Sequence, residues 1–551
     1  METMRVAAAA LSAVLCVGMG AAANADAYHA QPKLVVVLVL DQFRGDYLER
    51  YRDDFKTRNG FNLLLKRGAY FTDCYFDYAN TMTGPGHATI GTGAYTDGHG
   101  IASNDWWNFG VSTEHTVSSV DDVRYRLVGV PAGGVTEPGA SAHNELASTL
   151  GDELVLATGG ESRVFGISLK DRAAILLSGH AARGAYWVDH TSGAFITSSY
   201  YMQSLPDWVN RFNASGRTQA ALTEAGVAPG KFYDMVGRTS ASINYQFDFA
   251  KALIAGEKLG ANGTTDLLTI SISATDILGH EVGPDAADQR KMIDTVDVDL
   301  DDFFGWLDKH LDGGLANVWI ALTADHGVAP TVEQGRKLAM PSANVELPRV
   351  IDLLNERLTE RFSAKHPAKY VMAGGNLPYL ALDSRVFEKA GMKETDAEQA
   401  VAELLPNAVR DSQKGIAGAD AELPMVRRVY TRTQMAKGDV PATEEGRMVL
   451  HSYSPNGGWY VFVTFGMYEF GGHVTGTTHF SPYAYDRHVP LAFFGSAFEP
   501  GLYRDSVSPV DIASTFASLL GVNRPSASVG RVLTMALKKP VAAPAKTAVV
   551  Q

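Results

Sequence analysis

Cysteine is almost absent from this sequence. Only Cys16 and Cys74 occur among 551 residues, so a disulfide-stapled scaffold is excluded. Basic runs are absent too, and the net charge is −13. That excludes nucleic acid as an expected partner, because phosphate backbones are bound through clustered Lys and Arg. Beyond the N-terminus no apolar run is long enough to span a bilayer, and there is no internal repeat. What remains is the composition of a globular chain, 46% hydrophobic and 20% charged, with enough length for more than one domain.

The N-terminus reads as a targeting segment. In "MRVAAAALSAVLCVGMGAAANADA" (4–27) Arg5 precedes an apolar run, and alanines then offer an A-x-A site. Residues 1–27 are expected to be a signal peptide, cleaved after Ala25 or Ala27, with Met4 an alternative start. The run is short and rich in small residues, which disfavours a membrane anchor. Cys16 sits in a poor lipoprotein context. Cleavage leaves Cys74 as the only thiol, in a periplasmic or secreted protein that needs no oxidative folding.

Five apolar runs of strand length end in or near polar residues: "KLVVVLVLDQ" (33–42), "RVFGISLKDR" (163–172), "LLTISISATD" (267–276), "NVWIALTADHG" (317–327) and "VPLAFFG" (489–495). Continuous β-branched runs suit a parallel sheet buried on both faces. Helical patterns such as 288–311 lie between them, which predicts an α/β doubly wound, mostly parallel sheet. Such sheets place sites at the carboxyl ends of strands, and Asp41, Lys170, Asp276 and Asp325 fall there. Residues 338–465 break the pattern with two amphipathic stretches and are read as an inserted α+β cap. The main α/β core is then 28–337 and 466–535, with a smaller insertion near 105–145. The Pro/Ala-rich tail 536–551 is expected to be disordered.

"TMTGPGHATIGTG" (81–93) raises the question of a nucleophile. Gly84 and Gly86 flank Pro85, which predicts a sharp turn there. Pro85 is tolerated in a first helical turn, so Thr83 is expected at a helix N-terminus, where free N–H groups and the macrodipole favour negative charge. A threonine in that place is either an N-cap or a hydroxyl that must become an alkoxide.

Carboxylates and histidines gather at the same strand ends. Asp41 ends the first run, Asp276 and His280 are four apart, Asp325 and His326 are adjacent, and His479 lies in "TGTTHFSPYAYDRHVP". Asp, His and an alkoxide suit Zn²⁺. Six such residues suffice for two sites, and two metals can stabilise both oxygens of an in-line displacement. Singly each element has a simpler role, since a strand-end Asp is commonly a helix N-cap; together they point to a site.

The stretches "LDQFRGDYL", "TMTGPGHATIGTGAYTDGHGIASNDWW", "GISLKDRAAI", "ATDILGHEVGP", "LTADHG" and "TTHFSPYAYDRHVPL" resemble the alkaline phosphatase superfamily. They are most similar to its threonine-nucleophile bacterial branch, the PhoK/PafA type, over roughly 33–525 and in the family's order. The resemblance implies two Zn²⁺ per chain and hydrolysis of phosphate monoesters through a phosphothreonine. By that resemblance Thr83 is the nucleophile and also a metal ligand. Asp41, Asp325 and His326 hold the zinc that activates it, and Asp276, His280 and His479 hold the zinc at the leaving-group oxygen. Asn104, Lys170 and Arg172 bind the non-bridging phosphoryl oxygens. Lys170 and Arg172, two apart, would point to the same side if they lie in a strand.

Two other readings compete. A nucleotide pyrophosphatase/phosphodiesterase shares the threonine and the metals, but a diester carries a second substituent where Lys170 and Arg172 would bind free oxygens. A non-catalytic metal- or phosphate-binding periplasmic protein is disfavoured by an intact nucleophile and ligand set. Sulfatases are disfavoured because residue 83 is neither Cys nor Ser. Cys74 reads as a buried small residue, His87 as structural, His473 and His488 as second-rank or surface residues, and Asp97 and His99 as part of a loop. A monomer is expected.

Overall fold

The computed structural model describes residues 31–131, 138–362, 368–372, 377–415, 423–471 and 476–539. The signal segment, His473 and residues 540–551 lie outside them.

Eleven strands form the central sheet. In chain order they are β1 (Leu34–Leu40), β2 (Ala69–Phe71), β3 (Asp121–Val128), β4 (Pro138–Ala140), β5 (Val164–Ile167), β6 (Gly184–Val188), β7 (Phe195–Ser198), β8 (Asp266–Ile272), β9 (Val318–Thr323), β10 (Leu491–Phe494) and β11 (Gly501–Tyr503). Their spatial order is β11-β2-β10-β9-β1-β8-β5-β6-β7-β3-β4. The run β9-β1-β8-β5-β6 is parallel throughout. β1, "LVVVLVL", lies at its heart with every residue buried, as a strand covered on both faces must be. The α/β class read from the sequence is therefore the architecture found.

One of the five apolar runs differs in direction. β10 runs antiparallel to both β9 and β2, although its run looks like the others. Its residues "LAFF" are all buried, and burial on both faces, not direction, sets that composition. The region near 105–145 is also less separate than its composition suggests. β3 pairs with β7, and β4 with β3, so both extend the sheet at one edge.

Six helices build or support the cleft and the inserted segment: α1 (Thr83–Thr92), α2 (Asp171–Ser178), α3 (Ala274–Val282), α4 (Ala287–His310), α5 (Leu347–Arg361) and α6 (Glu394–Ser412). α4 buries Met292, Ile293, Val296, Leu300, Phe303, Phe304 and Leu307, the stripe that a 3.6-residue period requires. The inserted segment has its own core of Val350, Leu354, Leu358, Val401, Leu405 and Val461. There α5 and α6 accompany a three-stranded sheet of Tyr379–Ala381, Tyr460–Phe465 and Val426–Thr431. α6 runs through Pro406 to Ser412, past the point where the helical pattern in the sequence stops. The chain enters this segment through Ala343–Val345 and leaves through Glu469–Gly471, and these two strands pair in parallel as a neck. At the far end Leu537 bridges Phe498, and the Lys538 N–H donates to the Ala497 carbonyl. The first residues of the segment read as a disordered tail are thus docked on the core.

α4 also buries Asp299, whose Oδ2 has no hydrogen-bond partner. Burial, with Glu224 and Asp302 nearby, pushes its carboxyl up to about 7. The folded state therefore holds a proton that the unfolded chain releases near pH 4. Stability from this group is present at low pH and is lost as pH rises through 7. Asp299→Asn should raise Tm most above pH 8, with the gain shrinking toward pH 4.5. Melting curves at pH 5 and pH 9 that show the same gain would refute this.

Candidate active site

The nucleophile candidate sits on a helix made of small residues. "TGPGHATIGT" forms α1, and all ten residues are buried. The expected sharp turn at Gly84-Pro85-Gly86 does not occur, because the helix begins at Thr83 and continues through the proline. Pro85 is the third residue of the helix, where no N–H is needed. The glycines serve close approach instead. A Cβ on Gly86 would lie 2.4 Å from the Asp325 carbonyl oxygen, so only glycine lets α1 press against the end of β9. Thr83 is the first helical residue, Met82 occupies the N-cap position and makes no side-chain cap, and Asn104 Oδ1, from outside the helix, takes the Gly84 N–H. The Thr83 hydroxyl is not used as a cap and lines an open cleft of about 750 Å³.

Neighbouring parallel strands deliver the acids. β9 and β8 flank β1. Asp41 directly follows β1, and Asp325 and His326 follow β9. Asp276 does not sit at the strand end itself; it lies in the first turn of α3, with His280 in the last. That helix spacing puts both side chains on one face, and His280 Nε2 is 3.1 Å from Asp276 Oδ1.

The histidines are oriented by main-chain carbonyls. Nδ1 of His280 contacts the Thr477 carbonyl at 2.8 Å, and Nδ1 of His326 contacts that of Gly327 at 2.9 Å. Nδ1 of His479 meets the Thr81 carbonyl. A carbonyl only accepts, so each Nδ1 bears a hydrogen; this leaves Nε2 of His326 and of His479 with a lone pair for a metal, while Nε2 of His280 faces Asp276, the carboxylate that raises its imidazole. His87 differs. Its Nδ1 meets the Thr83 carbonyl and its Nε2 meets Ser271 Oγ, both at 2.8 Å, and this leaves it no ligating atom. Burial pushes it down to about 4, so it is a neutral pillar of α1.

Two groups of ligand atoms lie within 4.8 Å of one another: Asp276 with His280 and His479, and Asp41 with Asp276 and His326. Asp276 thus borders both groups. Asp325 joins the second, since His326 Nε2 is 3.5 Å from Asp41 Oδ1 and 3.5 Å from Asp325 Oδ2. These three atoms are buried without any hydrogen-bond partner. Leaving each unpaired costs about 1–3 kcal/mol, and the atoms are carboxylate oxygens and an imidazole nitrogen, the donors Zn²⁺ takes. The residues present therefore fit a cation there. Charge agrees. Burial and the neighbouring Asp41 hold the Asp325 carboxyl well above its ordinary range, and Lys170, which pulls it down, does not offset them. Burial also raises Asp276, but Lys170 and His280 outweigh it and hold that carboxyl well below its ordinary range. Burial, with His326 and His280 nearby, keeps His479 neutral.

Asn104, Lys170 and Arg172 line the same cleft as Thr83. Asn104 Oδ1 accepts the Gly84 N–H at 2.7 Å, which leaves its Nδ2 hydrogens for another partner. Lys170 and Arg172 do not share a strand, as the two-residue spacing suggested. β5 ends at Ile167, Lys170 occupies the N-cap position of α2, and Arg172 is the second residue of that helix. Lys170 Nζ lies 2.7 Å from Asp41 Oδ2 and 2.5 Å from Asp276 Oδ2. Burial opposes its charge, yet these carboxylates outweigh burial and keep the ammonium raised. Arg172 Nε is buried with no partner, so the guanidinium has donor capacity to spare.

Other residues of the site had no signal in the sequence. Tyr233 lines the cleft; burial raises its phenol although Lys170 and Arg172 pull it down, so it stays an O–H donor. The neck and the start of α5 supply a wall of Asn344, Val345, Glu346, Leu347 and Pro348. Gln42, next to Asp41, contacts both acid groups. The remaining candidates fall elsewhere. His488 stacks on Tyr75 with ring centroids 4.6 Å apart. Asp97 and His99 lie on a one-turn helix, Thr96–His99, instead of a loop. Burial holds the Cys74 thiol well above its ordinary range.

Known proteins are similar to this chain in sequence and fold. The sequence profile described as "Type I phosphodiesterase / nucleotide pyrophosphatase" matches residues 35–445. Alkaline phosphatase PhoV of Synechococcus elongatus is 31% identical over 547 residues, covering 92% of this chain and 94% of its own. Alkaline phosphatase PafA of Elizabethkingia meningoseptica is 30% identical over 541 residues, again covering 92% and 94%. The crystal structure of wild-type PafA superposes with a TM-score of 0.79 at 29% identity, over 92% of this chain and 99% of that one. The chain belongs to the alkaline phosphatase superfamily, in the branch that holds PafA, PhoK and PhoV and is related to the type I phosphodiesterases and nucleotide pyrophosphatases.

Proposed function

We propose that this protein is an exported, zinc-dependent alkaline phosphatase that hydrolyses phosphate monoesters through a phosphothreonine. The observation that carries the reading is the convergence on one cleft of a helix-terminal hydroxyl that caps nothing, three cation or amide donors and the Asp276, His280 and His479 group, with a second Asp/His group buried beside it through the shared Asp276. Asp41, Asp325 and His326 with Thr83 would hold one zinc, and Asp276, His280 and His479 the other. When bound, the ions supply Lewis-acid stabilisation of the attacking and leaving oxygens.

The chain's own residues set the rest of the reaction. Thr83 Oγ1 forms a bond to phosphorus as the ester P–O bond breaks, releasing the alcohol. Water then cleaves the Thr83 phosphate ester, returning the hydroxyl and inorganic phosphate. The α1 N-terminus favours negative charge at Thr83. Asn104 Nδ2, Lys170 and Arg172 are donors for the equatorial oxygens, whose charge must be stabilised in phosphoryl transfer. Gly84 fixes which end of Asn104 faces the cleft. Export is read from Arg5, the apolar run and the A-x-A site; among the described residues no helix is long and apolar enough to cross a membrane.

A monoester presents three non-bridging oxygens to these donors, and a diester presents two and a bulky group. Charge-assisted bonds are worth roughly 1.5–3 kcal/mol each, or about one to two powers of ten in rate. Lys170→Ala/Arg172→Ala should therefore lower kcat/KM for an aryl phosphate monoester by roughly 10²–10⁴ and for its methyl diester far less. Equal losses on both substrates would show that the pair does not read the monoester. A wild type faster on the diester would favour the phosphodiesterase reading.

A further inference from the structure

Gln42 is fully buried and has φ +61°, the left-handed region that residues other than Gly, Asn and Asp seldom adopt. It directly follows Asp41 at the end of β1. In this conformation its N–H donates to Asp325 Oδ1 at 3.1 Å. Its side-chain Nε2 donates to Asp276 Oδ1 at 2.8 Å. One residue thus holds the acid that follows β9 and an acid of α3, the helix that follows β8, and β9 and β8 are the two strands that flank β1. The fit around it is close. A Cβ on Gly279, between Asp276 and His280 on α3, would lie 2.2 Å from Gln42 Oε1. Gly279 is therefore the residue that lets the Gln42 amide lie along α3 and reach Asp276.

We infer that Gln42 is a positioning residue that ties the two Asp/His groups together, its main chain orienting Asp325 and its amide orienting Asp276. This rests on the reading that those groups hold zinc. At Asp325 the bond to Oδ1 fixes the carboxylate plane with Oδ2 facing His326; at Asp276 Gln42 holds Oδ1, the oxygen that faces His280, while Lys170 holds Oδ2. Partners of this kind commonly change metal affinity by roughly 10–100-fold when removed. The left-handed backbone is strained for glutamine, and strain of this type persists where the surroundings require it. Here the residue is held by both hydrogen bonds, its N–H to Asp325 and its amide to Asp276.

The two arms are separable by substitution. Gln42→Gly keeps the left-handed backbone and the N–H to Asp325 but removes the amide to Asp276. Gln42→Glu keeps the side-chain volume and puts an acceptor where Asp276 needs a donor. Gln42→Asn tolerates the backbone and shortens the amide's reach. The measurement is zinc release to a competing chelator, followed ion by ion, with elemental analysis of the protein at each stage and Tm of the metal-stripped forms.

Wild type should release two zinc ions. Gln42→Gly should loosen one of them roughly 10-fold or more and leave the other near its wild-type affinity. Gln42→Glu should loosen the same ion at least as much, despite its similar shape, and saturating Zn²⁺ should restore most of its kcat. Gln42→Asn should fall between wild type and Gln42→Gly, and it serves if Gln42→Glu does not fold. Unchanged zinc affinity at both sites in Gln42→Gly, or equal loosening of both, would overturn the assignment. So would a loss of rate that saturating zinc fails to restore. A wild type holding fewer than two zinc ions would instead sink the two-metal reading itself, which the wild-type stoichiometry reveals before any variant is compared.

Discussion

Thr83→Ala is expected to lower kcat/KM for an aryl phosphate monoester by on the order of 10⁴–10⁶-fold, the scale seen when a residue that works as part of a catalytic unit is removed. The expectation is specific because the hydroxyl has no structural duty. Met82 occupies the N-cap position of α1, Asn104 and not Thr83 takes the Gly84 N–H at that end, and Thr83 lines the cleft that holds Asn104, Lys170 and Arg172. The helix is held by other means, such as the approach of Gly86 to Asp325 and the two hydrogen bonds of His87. Thr83→Ala should therefore fold with nearly unchanged Tm. Thr83→Ser keeps the oxygen and loses only a methyl group, so its loss should be much smaller. The measurement is kcat/KM for the three proteins, with Tm and zinc content recorded on the same preparations. If Thr83→Ala turned over near the wild-type rate with its metals in place, the hydroxyl would not be the nucleophile.

The contrast between α1 and β1 shows what a sequence reveals and what it hides. β1, β8 and β9 are legible because a strand buried on both faces must be apolar along its length, and the acids that follow such runs stand out. α4 is legible from its stripe alone. The direction of β10 is not, because an antiparallel strand in the middle of a sheet faces the same demand for burial. The glycines of TGPGH look like a turn, because the feature that explains them is a distance of 2.4 Å between a Cβ that is not there and the backbone of Asp325, 239 residues farther along the chain. Lys170 and Arg172 are recognisable as a pair but not as the N-terminus of α2, since four residues of β5 are too few to set a period.

The site was legible in proportion to how unusual its chemistry is. Acids and histidines at strand ends are conspicuous because an unpaired buried charge is costly and therefore rare. Gln42 and Tyr233 carry no such mark, as a neutral amide or phenol is common in any interior. Glu346 and its neighbours belong to the inserted segment, and only the pairing of Ala343–Val345 with Glu469–Gly471 brings them to the cleft.

Removal of metal is expected to have the other large effect, abolishing monoester turnover and lowering Tm together. Asp41 Oδ1, Asp325 Oδ2 and His326 Nε2 are buried, mutually close and without hydrogen-bond partners. The Asp325 carboxyl is held well above its ordinary range by burial and by Asp41. A cation that binds only the folded protein at a thousand times its Kd stabilises it by about 4 kcal/mol, so each zinc withdrawn should cost stability of that order. Chelation should be reversed by added Zn²⁺, and elemental analysis of the active protein should find two zinc ions per chain; one, or none, would refute the two-metal reading. The geometry further separates the ligands. His479 is grouped only with Asp276 and His280, whereas Asp276 is also grouped with Asp41 and His326. His479→Ala should therefore lose mainly one ion and retain the other. Asp276→Asn should weaken both, because it also removes a negative partner from Lys170 Nζ, 2.5 Å away. That leaves Lys170 against Asp41 alone, so it competes more strongly with a cation for that carboxylate. Zinc content after dialysis against graded chelator distinguishes the two outcomes, and a His479→Ala protein that loses both ions at the same chelator concentration would show that the groups act as one site.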